Sequence, residues 1–178
     1  DLVLDQVMAE ITVPTEGTWR ERLVGLLQNS VATLGQRQGL ALVALGMIPT
    51  GHNAMAIQEH VLGLLREGGL DDGTIAWAVD LLALLVTATA AEESIFGDRM
   101  AEGEQMADVL LHVNDAFASL PPEKFPLITM LRPLMLTGSG DDRFRWWVEV
   151  ILSGLAITRP PAAGSPIGLV TDTLGNGA

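Results

Sequence analysis

Apolar residues recur at helical spacing from the first residues of the chain. In "DLVLDQVMAEI", Leu4, Val7, Met8 and Ile11 fall on one helical face, and Pro14 closes the segment. The pattern is already under way at Asp1, so further residues are expected upstream. Thr15 or Thr18 is placed to cap a second helix, Trp19 to Gln36. Its Leu23, Leu26, Leu27, Ser30, Val31 and Leu34 form one stripe, and Gly35 and Gly39 bracket its end. "LALVALGM" is a short apolar segment that needs packing to be helical. "IPT" breaks it, and Thr50 or Asn53 can start a helix running to Arg66. "REGGLDDG" then joins a glycine stop to an aspartate start.

From Thr74 to Glu93 the chain is apolar nearly all round, which demands cover on most sides. The small residues of "TATAA" permit close approach of another helix. "FGDRMAEGE" reads as an acidic loop, Gln105 to Leu120 as a helix, "PPEKFP" as a turn and Leu127 to Leu136 as a short helix. With no strand alternation and no repeat, the fold class is all-α, a helical bundle of about seven helices. Residues 1–158 form one ligand-binding and dimerisation domain in this reading. The Pro/Gly-rich tail 159–178 lacks helical period, and its Ile167, Leu169 and Val170 are expected to pack on the body or on a partner.

The last helix, within "DDRFRWWVEVILSGL", carries two adjacent tryptophans. Neighbouring helix positions point about 100° apart, so one narrow stripe cannot take both. Phe144, Trp147, Val148, Ile151 and Leu155 share one face; Trp146, Val150 and Ile157 share a second, beside Ser153 and Gly154. The second face either meets a partner subunit, a C2 dimer being the commonest arrangement, or lies under the Pro-rich tail. The dimer is the preferred reading, through a four-helix contact formed by Thr87, Ala88, Ala91, Trp146, Val150, Gly154 and Ile157.

Composition narrows the choices. Hydrophobic residues make up 48% and aromatics only 4%, so the core is aliphatic. No cysteine is present, which removes disulfides and thiolate metal sites and agrees with a cytoplasmic setting. A formal net charge of −12, with Lys124 the only lysine, opposes binding of nucleic acid by this chain itself. The run Ile75 to Ala91 is shorter than the roughly 20 residues a membrane span needs and carries Asp80, so it reads as a buried central helix and no membrane is expected. No nucleophile elbow, phosphate loop or dinucleotide fingerprint occurs, which argues against an enzyme, although an all-α enzyme with scattered catalytic residues has no motif to betray it. Asp108 and His112 stand one turn apart, but no third ligand lies at helical spacing, so neither metal nor cofactor is expected.

Three features then fall into order: "GMIPT" (Gly46 to Thr50), "LLREGGLDD" (Leu64 to Asp72) and, after the long apolar helix, "DDRFRWWVEVILSGL". Over about Asp1 to Arg159 the chain resembles the C-terminal ligand-binding and dimerisation domain of tetracycline-repressor (TetR) family regulators. The resemblance implies a homodimer, a small apolar or amphipathic effector, and operator DNA bound only through an N-terminal helix-turn-helix domain that this chain lacks. Release of DNA would follow if the effector favours a conformation unable to span two half-sites. Where the tetracycline repressor holds its drug's magnesium with a histidine, this chain has Ala44, and Met47 follows the glycine. A thioether does not suit hard magnesium, so neither tetracycline nor a metal is expected.

Candidate ligand-binding residues are Met47, Asn53, His60, Trp77, Asp80 and Leu84. Each has an ordinary alternative. Met47, like Met55, Met106, Met130 and Met135, is an adaptable wall or a gap filler. Asn53 is a pocket donor or a helix cap, and His60 a ligand partner or an exposed side chain. Trp77 and Leu84 are pocket wall or core, and Asp80 is a buried group needing a partner or a wet one. The competing function is a helical homodimeric interaction protein without a small-molecule pocket.

Overall fold

The computed structural model describes residues 2–37 and 39–161. Five of the other helices gather around α2 (Trp19–Gly35). Thr18 caps it reciprocally: the Glu21 N–H donates to the Thr18 hydroxyl at 3.2 Å and the Thr18 N–H donates to the Glu21 carboxylate at 2.8 Å. Two otherwise orphaned donors are satisfied in this way. The backbone bond, then the hydroxyl, holds the Glu21 carboxyl below its ordinary range. The whole expected stripe from Leu23 to Leu34 is buried.

Around α2 lie α1 (Leu2–Met8), α3 (Leu40–Leu45), α4 (His52–Glu67), α5 (Asp72–Ala101) and α8 (Gly140–Ile157). Among the described residues every regular element is a helix. There are eight, because "LALVAL" forms its own short helix, α3, packed on α5 with Ala41 and Ala44 buried. α1 ends at Met8 rather than running to Pro14, in tight turns that bring the Glu10 and Ile11 N–H groups to the Val7 and Met8 carbonyls. Ile11 stays buried all the same.

The start of α4 departs from the expected Thr50 or Asn53 cap. Gly51 is the N-cap, and the acceptor comes from another helix. The Asp5 carboxylate on α1 accepts from the Asn53 N–H at 2.8 Å and the Ala54 N–H at 3.1 Å. The Asn53 side-chain amide donates back to Asp5, to the carboxylate at 3.0 Å and the carbonyl at 3.1 Å. Glycine is required at 51 because a Cβ there would collide with the Asp5 carboxylate. An anion on a helix N-terminus satisfies both the free N–H groups and the dipole. Asp5→Ala is expected to cost about 1–2 kcal/mol in chemical denaturation. A change within about 0.3 kcal/mol would show that water replaces the cap.

α5 continues to Ala101, through most of the segment read as an acidic loop, and stops near Gly103, whose φ of 101° suits glycine. By length and composition it is apolar enough to cross a membrane, with mean hydropathy 1.8 in its most apolar window. Its packing explains that composition, since α2, α3, α4 and α8 all lie against it. Only 39% of that window is buried, so α5 leaves another stripe open.

α6 (Met106–Ala118) and α7 (Pro126–Met135) pack mainly on each other and bury no residue fully. Ser139 and Asp142 form a second reciprocal cap that starts α8; the hydroxyl bond, then the backbone bond, lowers the Asp142 carboxyl. Phe144, Val148 and Leu152 seat α8 in the core, and Glu149 pairs with Arg20 of α2 at 2.7 Å. Ile167, Leu169 and Val170 of the tail lie outside the described residues.

Candidate ligand-binding site

A cavity of about 420 Å³ opens between α2, α4 and α5, bordered by the loop after α3. Leu27 and Leu34 of α2, Val61 of α4, and Leu82 and Val86 of α5 are buried residues that supply its apolar floor. Pro49 keeps the chain from continuing α3 as a helix, so Met47 and Ile48 are carried along its edge. Ala44, Ala54 and Ala83 contribute short side chains from three elements, which leaves the space unfilled. The volume falls within the 300–1,000 Å³ common for small-molecule sites.

The polar complement is small. Ser30, Gln58, Asp80 and Thr87 are the hydroxyl, amide and carboxylate side chains on the wall. The Ser30 hydroxyl donates to the Leu26 carbonyl at 2.8 Å, and the Thr87 hydroxyl to the Ala83 carbonyl at 2.9 Å. Asp80 is exposed and, among the described residues, pairs with no cation.

Of the residues singled out in the sequence, Met47, Asp80 and Leu84 stand on this wall. Asn53 does not, because its side chain is tied to Asp5. His60 is exposed on α4 and Trp77 is 62% exposed on α5, both away from the cavity. Ala54, Ala83 and the wall residues of α2 escaped the sequence reading, since an alanine in an apolar helix signals packing and hollow alike. Met8, on the apolar face of α1 with Leu4 and Val7, reaches the cavity as well. Among the described residues, no group of three or more His, Asp or Glu gathers as metal ligands.

Residues 13–159 match the family model described as the tetracyclin repressor-like C-terminal domain. The chain belongs to the TetR family. No curated protein sequence matches it. Among solved structures, ActR from Streptomyces coelicolor in complex with actinorhodin is 32% identical, with a TM-score of 0.75 over 92% of this chain and 76% of that one. Apo ActR is 33% identical, with a TM-score of 0.69 over 86% and 72% of the two chains. ActR in complex with (S)-DNPA is 31% identical, with a TM-score of 0.70 over 87% and 72%. TetR-family members are transcription regulators that work as dimers.

The face through which this TetR-family chain would meet a second copy must lie where its own fold leaves apolar side chains open. Trp146, Val150 and Ile157 of α8 are 64%, 51% and 85% exposed, and Gly154 is partly exposed beside them. α5, which packs alongside α8, leaves Trp77, Leu81, Leu84, Ala88 and Ile95 exposed along one stripe. Two of the expected α5 contributors face elsewhere. Ala91 is buried in the chain's own core, and Thr87 turns toward the cavity. Thr87 lies about 100° from Ala88, which turns it off the open stripe; Ala91 falls within the open arc of the wheel but is covered by the chain's own core.

Proposed function

We propose that this domain binds a small apolar or amphipathic effector in the cavity, pairs as a homodimer through α5 and α8, and controls operator binding by a preceding helix-turn-helix domain. Acting on DNA, it would work in the cytoplasm. One observation carries the reading. α1 supplies Met8 to the cavity wall, and one turn earlier Asp5 caps α4 beside Ala54, another wall residue. A ligand that fits one setting of α1 and α4 better than another therefore shifts α1, the helix leading toward the DNA-reading part. Only that differential affinity can move the equilibrium. The complexes of ActR with actinorhodin and with (S)-DNPA support a ligand-binding role for this fold.

The probe 9-anthracenemethanol is expected to bind saturably at one site per chain, followed by its fluorescence. Ala83→Trp places an indole in the cavity from an exposed helix position, where folding tolerates it. This variant should weaken binding about tenfold or more. Binding should also alter amide exchange in α1 and at the start of α4. Non-saturable binding, or equal affinity in the variant, would remove the effector site; unchanged exchange in α1 would remove its coupling to that helix.

A further inference from the structure

We infer that the cavity selects an apolar ligand bearing an ammonium or other strong hydrogen-bond donor over a carboxylate of the same shape. This rests on the reading of the cavity as an effector site and names the class of effector. The donor and acceptor inventory of the wall carries it. Among the described residues, Asp80 is the only ionisable side chain on the wall. Ser30 has already donated its hydroxyl proton to the Leu26 carbonyl at 2.8 Å. Thr87 shares its own with the carbonyls of Ala83 at 2.9 Å and Leu84 at 3.2 Å. Both oxygens are left with only lone pairs to offer a ligand. The thioethers of Met8 and Met47 are weak acceptors, and among the described residues the Gln58 amide is the one side-chain donor left free on the wall.

Occupancy changes the balance at Asp80. With the cavity open, its exposed carboxylate is hydrated. A ligand lying across it displaces that water, and an uncompensated carboxylate in an apolar surround is costly. An ammonium restores the loss with charge-assisted hydrogen bonds, whereas a carboxylate adds like-charge repulsion. The formal net charge of −12 acts in the same sense at longer range, enriching cations near the cavity mouth.

Three fluorescent probes on one ring frame test this at about 150 mM salt, where remote surface charge is largely screened. They are 9-(aminomethyl)anthracene, 9-anthracenemethanol and anthracene-9-carboxylate. The amine is expected to bind about tenfold or more tighter than the carboxylate. Asp80→Asn should bring the two within about threefold, with the alcohol, a neutral donor, losing less affinity than the amine. Asp108→Asn makes the same change of charge on α6, away from the cavity, and should preserve the preference. The inference is overturned if the carboxylate binds as well as the amine, if the preference survives Asp80→Asn, or if Asp108→Asn abolishes it equally. Saturable binding of the alcohol with no preference between the charged probes defeats the selectivity alone. Failure of all three probes to saturate defeats the effector reading, and this inference with it.

Discussion

Replacing Trp146 and Val150 together by aspartate is expected to convert the proposed dimer to a monomer. Trp146 is 64% exposed and Val150 51% exposed on the face of α8 turned away from Phe144, Val148 and Leu152. A tryptophan side chain that goes from this exposure to full cover loses on the order of 150 Å² of apolar surface, worth about 4 kcal/mol. A two-fold interface contains each residue twice, so the gross loss per dimer is larger. The aspartates add the cost of desolvating charge in a contact. Sedimentation equilibrium should show the dissociation constant raised about a thousandfold or more, corresponding to about 4 kcal/mol. Both positions are exposed in the single chain, so the helical circular dichroism of each protomer should remain. A variant that stays dimeric with unchanged affinity would place the interface elsewhere, the exposed α6–α7 pair being the next surface to examine.

The helical pattern was legible wherever one face of a segment was apolar and its ends carried ordinary signals. α2 is the best case, with a single stripe and a cap at Thr18. Legibility failed where the deciding partner lay far along the chain. Nothing local to "IPTGHN" announces that Asp5 will cap α4, a contact across 48 positions. The end of α5 was hidden because Asp98 and Arg99 suggested a loop, although both are compatible with an exposed helical turn. For the cavity, the break at "IPT" and the lone Asp80 pointed to the right neighbourhood. Trp77 did not, because composition cannot assign a large residue on a nearly all-apolar helix to core, cavity or outer face, and His60 did not, because it sits on the exposed face of α4. The open stripe on α5 suffered the same ambiguity: small residues suggested close approach, while the open side chains are mostly large ones.

Leu26→Ala and Leu84→Ala make the same chemical change and are expected to separate core from site. Leu26 is fully buried within the cluster shared by α1, α2, α4, α5 and α8, and it does not line the cavity. Its truncation removes the transfer energy of the lost carbons and leaves a void that neighbouring helices close only in part. The expected cost is about 3 kcal/mol in denaturant unfolding, a fall of about 6–12 °C in melting temperature for a chain of this size. The probe alcohol should still bind, since the wall supplied by Leu27, Ser30 and Leu34 is intact. Leu84 is 56% exposed and sits on the cavity wall. Its truncation should leave protomer stability within about 0.5 kcal/mol and weaken the probe several-fold through lost apolar contact. Stability and binding falling together in both variants would mean that the cavity is part of a single continuous core. Its emptiness would then reflect loose packing, and the case for a ligand would rest on the family alone.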